Sequence, residues 1–153
     1  MGHFQRASLT EEDGSFCHAF QAEPNAVRDA LRRAIARFAR RIPDDAAGAL
    51  ELALAEVLNN IVEHAYAGLP PGPVELELRL GSEMLDCRVI DHGHPMPGLM
   101  LPKGEMQPIA ATVDDLPEGG WGWALIKTLT TSLCYTRDQN ANQLSFSVPV
   151  DAS

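Results

Sequence analysis

Val74-Glu75-Leu76-Glu77-Leu78-Arg79-Leu80-Gly81-Ser82-Glu83-Met84-Leu85-Asp86-Cys87-Arg88-Val89-Ile90-Asp91 is the stretch on which the fold turns. Apolar and charged residues alternate with period two across 74–80 and again across 84–91, so each run reads as a strand with one apolar and one wet face. Gly81-Ser82 turns the chain between them, which makes an antiparallel hairpin. Its apolar face needs a cover.

Two helices upstream supply one. From Asn25 the apolar residues Val27, Leu31, Ile35 and Phe38 recur at helical spacing until Ile42-Pro43 closes the element. After Pro43-Asp44-Asp45, with Asp44 or Asp45 placed to cap it, a second helix carries Leu50, Leu54, Val57, Leu58 and Ile61 on one face and runs to about Tyr66. Residues 15–22 read as a strand ended by Glu23-Pro24, and 68–73 as a loop rich in Pro and Gly. Beyond the hairpin, residues 92–118 hold five prolines and little periodicity, and a loop of that length inside a compact domain is usually functional. Gly120-Trp121-Gly122-Trp123 leads into a helical stretch, and residues 132–137 and 142–150 read as two closing strands. The order predicts an α/β two-layer sandwich, a mixed, mainly antiparallel sheet with helices on one face, formed by residues 15–150 behind an N-terminal extension 1–14.

Bulk properties narrow the function. The chain has 153 residues, 45% hydrophobic and 22% charged, as a soluble globular domain does. No stretch approaches the roughly 20 apolar residues of a membrane span. Met1-Gly2-His3-Phe4-Gln5-Arg6 lacks the apolar core of an export signal, so the expected location is cytoplasmic. A formal charge of −9 argues against direct nucleic-acid binding. Cys17, Cys87 and Cys134 are odd in number and far apart, and are expected as buried reduced thiols. Against the acidic average, six of the twelve basic residues, Arg28, Arg32, Arg33, Arg37, Arg40 and Arg41, fall in one short segment with only Asp29 to oppose them.

Three elements carry chemistry. Glu56 and Asn60 are four apart on the second helix, with Glu63 and His64 following, so they share a polar stripe. A carboxamide oxygen there can bind a hydrated Mg²⁺ while the carboxylate orients or deprotonates a nucleophile; the bland alternative is a solvated helix face. Asp91-His92-Gly93 puts a carboxylate at a strand end before a glycine, where it can accept from an exocyclic amine such as that of adenine while Gly93 lets the base approach the backbone. An ordinary turn would look the same. Gly119-Gly120-Trp121-Gly122 opens a helix, and its bare N–H groups with the helix dipole suit phosphate. His64, His92 and His94 also admit a metal reading, but spacing fixes no further ligand.

In this order and spacing the three elements resemble the N box, first glycine box and second glycine box of the GHKL ATPase superfamily. The string Ala55-Glu56-Val57-Leu58-Asn59-Asn60-Ile61-Val62-Glu63-His64-Ala65-Tyr66 is most similar to the bacterial anti-sigma-factor serine kinases. The resemblance spans about residues 15–150 and implies a Bergerat ATP-binding fold. It further implies ATP and Mg²⁺ as cofactors, Glu56 as general base, Asn60 as the Mg²⁺ ligand and Asp91 as the adenine-recognising residue. Gly93, Gly120 and Gly122 fall on box glycines, with Lys103 the one Lys or Arg in the lid-like loop between them. Pro95 stands where other branches have a second glycine, and Asp114, Asp115 and Glu118 precede the phosphate turn. The implied function is a serine/threonine protein kinase that phosphorylates an anti-sigma antagonist, with a sigma factor or that antagonist as partner and a homodimer as a further expectation. The alternative is a nucleotide-binding module that sequesters its partner without turnover.

Overall fold

The computed structural model describes residues 14–99 and 120–151. Five strands form one sheet in the order β1-β2-β3-β5-β4: β1 Ser15–Gln21, β2 Pro73–Leu80, β3 Met84–Asp91, β4 Thr131–Asp138 and β5 Ala141–Pro149. Every pairing is antiparallel, which resolves the mixed-sheet expectation. Among the described residues three α-helices, α1 Pro24–Phe38, α2 Asp44–Asn60 and α3 Gly120–Leu129, complete the sandwich.

The alternation read from the hairpin decides which face is covered. Val74, Leu76 and Leu78 of β2 and Leu85, Cys87 and Val89 of β3 are buried, joined by Leu144, Phe146 and Val148 of β5. Against them α2 sets Leu50, Leu54, Val57 and Leu58, each of which contributes about 1.5–3 kcal/mol by leaving water. α1 buries Val27, Ala30, Ala34 and Phe38, while Leu31 and Ile35 are only half-buried at its margin.

Four details differ from expectation. Glu77 belongs to the wet face by its phase, yet it is buried, because Arg88 lies opposite it in register and forms an ion pair over it. Cys17 and Cys134 are exposed, since both fall out of phase with the core on the two edge strands; Cys87 alone is buried, and burial pushes its thiol pKa up. Pro43, not an aspartate, is the N-cap of α2, and Asp44 and Asp45 sit in the first turn, where they face the helix dipole. The second helix does not stay α-helical to Tyr66: it ends at Asn60 and continues as a π turn, Ile61–Ala65.

One residue of α2 has no structural use for its identity. Gly48 lies inside the helix on the exposed side, with open space where a Cβ would stand. Gly48→Ala is therefore expected to stabilise the fold by about 0.5–1 kcal/mol, read as a higher urea midpoint at unchanged m-value.

Candidate nucleotide-binding site

A cavity of about 590 Å³ opens between the end of α2, the end of β3 and the start of α3. Val57, Ile61, Met96, Trp123 and Leu144 make most of its wall apolar, while Asn60, Asp91 and Asn142 supply polar points. A flat apolar heterocycle with a few fixed hydrogen-bonding groups is the ligand such a wall suits.

Asp91 is 4% exposed, held at the strand end because it is in phase with the core residues of β3. Its Oδ1 accepts from the Gly93 amide at 2.9 Å and from Asn142 Nδ2 at 2.8 Å. Among the described residues Oδ2 has no hydrogen-bond partner. Burial raises the carboxyl above its usual range, opposed by those two bonds and by the nearby charges of His92 and Arg137. Gly93 also has a role within the fold. A Cβ there would come 2.3 Å from the Ala65 carbonyl oxygen, so the missing side chain admits the π turn of the protein's own helix.

Glu56 and Asn60 share a face of α2 as their spacing predicts, and α3 packs directly on it. A Cβ on Gly122 would lie 2.6 Å from Glu56 Oε2 and 3.9 Å from Asn60 Nδ2. Asn60 Nδ2 is buried and, among the described residues, has no hydrogen-bond partner. A buried amide nitrogen in that condition is costly unless a ligand satisfies it, by about 1–3 kcal/mol. Gly120 opens α3. Three of the predicted elements thus meet at one cavity. Lys103 and Gly119 lie outside the described residues. His64 and His94 line the cavity, and His94 Nε2 meets the Ala67 carbonyl at 3.0 Å.

Other residues that build the site escaped sequence reasoning. Tyr66 Oη donates to the Pro73 carbonyl at 2.8 Å and accepts from the His92 amide at 2.9 Å, so it ties the π turn to the end of β3. The His94 amide adds a 2.6 Å bond to the Ala65 carbonyl. From the other side, Asn142 Nδ2 also donates to the His94 carbonyl at 2.8 Å, and Tyr135 Oη donates to Asn142 Oδ1 at 2.6 Å and accepts from the Met96 amide at 3.0 Å. A signal did exist for Asn142: it shares the phase of Leu144, Phe146 and Val148, and a carboxamide in an apolar alternation needs a buried partner.

Residues 20–148 match the family described as Histidine kinase-like ATPase domain. The Serine/threonine-protein kinase BtrW of Bordetella bronchiseptica is 31% identical over 99 residues, which cover 63% of this chain and 66% of that protein, just under two thirds of its length. In a solved structure of the RsbU and RsbW domains of Rv1364c from Mycobacterium tuberculosis, the similarity covers 89% of this chain and 32% of that one, with a TM-score of 0.62 at 17% identity. That second likeness is one of fold. The described residues contain no helix long and apolar enough to cross a membrane. The family match runs from within β1 nearly to the end of β5 and takes in the helix, the strand end and the glycine turn that meet at the cavity, so the chain belongs to the histidine kinase-like ATPase domain family.

Proposed function

We propose that this protein is an ATP-dependent serine/threonine protein kinase of the anti-sigma-factor type. Membership of its family implies nucleotide binding. The observation that carries the finer reading is the meeting of Glu56, Asn60 and Gly122 beside a cavity lined by Asn60 and Asp91, with Asn60 Nδ2 lacking a hydrogen-bond partner among the described residues. In this reading Asp91 Oδ2 accepts from the adenine amine, and the apolar wall takes the base. Gly120 and Gly122 let backbone amides of the first turn of α3 approach the phosphates. The carboxamide of Asn60 fits a phosphate oxygen through its nitrogen or Mg²⁺ through its oxygen, the two orientations being related by rotation of the amide. The chemistry a bound Mg²⁺ supplies is neutralisation of charge on the transferring phosphoryl group. Glu56, which forms no hydrogen bond among the described residues, is the group within reach to take the proton of an attacking Ser or Thr hydroxyl. The likeness to a serine/threonine-protein kinase over 63% of the chain supports that acceptor class. The test is incubation of the pure protein with labelled ATP, Mg²⁺ and candidate antagonist proteins of the same genome. Label on a partner's Ser or Thr is the expected result; nucleotide binding without transfer to any of them favours a sequestering module.

The partner surface is proposed on α1. Arg33 is held by Asp29 at 2.8 Å and Arg28 reaches Asn25 at 3.4 Å, while Arg37 lies 5.3 Å from the centre of the Phe38 ring. Arg32, Arg40 and Arg41 are exposed on the same helix and its C-terminal turn. Because charge steering acts mainly on encounter, Arg32→Glu with Arg33→Glu should slow association with an acidic sigma factor or antagonist by roughly tenfold at low salt, weaken the salt dependence and leave ATP affinity unchanged. Stopped-flow association with a partner recovered by pull-down measures this. A wild-type rate in the double variant would place the partner surface elsewhere.

A further inference from the structure

Arg137 occupies a position that a strand ordinarily gives to an apolar residue. It follows Leu133 and Tyr135 in the phase of β4 that faces the helices, and it is half-buried beside β5. A guanidinium placed there is costly unless it meets fixed acceptors. It has two: NH1 donates to the Gly93 carbonyl at 2.7 Å and to Asn142 Oδ1 at 3.0 Å. The same Asn142 carboxamide donates through Nδ2 to Asp91 Oδ1 at 2.8 Å. The chain of contacts therefore runs from a permanent cation, through a polarised amide, to the buried carboxylate at the floor of the cavity.

We infer that Arg137 is a positioning residue of the nucleotide site, holding the Asp91 carboxyl turned toward the base through Asn142 and Gly93. This rests on the proposed role of Asp91 in recognising the base. Each link has a physical reason. Drawing electron density from Asn142 Oδ1 makes its Nδ2–H groups better donors to the carboxylate. The bond to the Gly93 carbonyl anchors the turn whose amide is the second donor to Asp91 Oδ1. With both donors fixed on Oδ1, Oδ2 is the atom left for a ligand. The other titratable groups around Asp91 do not replace this cation. Tyr66 comes from the π turn, His92 is the next residue in the chain, and His64 and His94 line the cavity. A tyrosine brings no positive charge and a histidine no permanent one, whereas a guanidinium is a permanent cation.

The sign of the expected pH effect follows. Because Oδ1 already takes two donors, a proton on the carboxyl falls on Oδ2 and weakens that oxygen as an acceptor for the base amine, and burial already favours the protonated form. Affinity for ATP therefore falls as pH is lowered through the Asp91 titration. Without the cation, protonation sets in at higher pH, so the fall begins earlier.

The experiment compares wild type with Arg137→Gln, which keeps an uncharged donor, and Arg137→Lys, which keeps the charge. Two measurements are made on each: titration of the Asp91 carboxyl by carbon NMR of the nucleotide-free protein, and ATP affinity by calorimetry from mildly alkaline to mildly acidic pH. Arg137→Gln should titrate at higher pH than wild type and lose roughly tenfold in affinity at the acidic end, converging on wild type at the alkaline end. Arg137→Lys should restore most of both. An Asp91 titration unmoved in Arg137→Gln, or identical behaviour of the Gln and Lys variants, overturns the inference. Asp91→Asn is the control for the reading beneath it. If that variant binds ATP as wild type does, the base-recognition role is what has failed, whichever way the carboxyl titrates.

Discussion

Asp91→Asn is expected to weaken ATP binding ten- to a hundredfold, about 1–3 kcal/mol, while leaving the fold intact. The size of the effect follows from the two donors already on Oδ1. The Gly93 amide and Asn142 Nδ2 both require an acceptor at that position, so the new carboxamide must place its oxygen there. Its NH₂ group then takes the place of Oδ2, where it confronts the exocyclic amine of adenine. Donor meets donor in a buried site, and neither finds water. Calorimetric titration with ATP measures the loss, and a thermal melt of the nucleotide-free variant checks that the fold survives. Unchanged affinity would remove Asp91 from the site.

Glu56→Gln is expected to separate binding from chemistry. The carboxylate sits against Gly122 on the same helix face as Asn60, so a carboxamide of the same size keeps the packing between α2 and α3. A carboxamide cannot take a proton. Phosphoryl transfer to a cognate protein should fall by roughly 10²–10⁴-fold, with ATP affinity within a fewfold of wild type. Asn60→Ala should show the complementary defect, loss of the Mg²⁺-dependent part of binding. Full transfer by Glu56→Gln would dismiss the general-base role and leave the sequestering module as the better reading.

The parts of the molecule that sequence made legible are those in which one residue's neighbours lie a few positions away. Alternation across 74–91 gave the hairpin and its core face, and the i,i+4 spacing of Glu56 and Asn60 put both on one helix face. Asp91 was legible because a strand end before a glycine is a local pattern. The contacts that orient Asp91 were not, since they depend on β5 returning beside β3 so that Asn142 lies opposite it, a pairing that closes across 51 residues of chain. Glu77 illustrates the same limit. Its phase predicted water, and only the register with Arg88 explains its burial. The packing of Ala65 against Gly93 was likewise illegible, since it joins the end of the second helix to the end of β3. Cys17 and Cys134 were misjudged because edge strands offer less cover than their composition suggests.

The π turn at the end of α2 acts as a spacer of fixed length. A π turn holds one more residue than the α-helical turn it replaces, so the chain leaves it rotated by roughly 100° from where a regular helix would have brought it. That rotation aims Tyr66 at the His92 amide and the Pro73 carbonyl, and brings the Ala65 carbonyl against Gly93 and the His94 amide. The placement of Asn60 relative to Asp91, both in the cavity wall, is thereby tied to how many residues the helix spends in its last turn. Length, more than residue identity, is what segment 61–65 must preserve: a substitution there alters one wall of the cavity, whereas losing a single residue would swing Tyr66 off both partners and put Asn60 and Asp91 out of step.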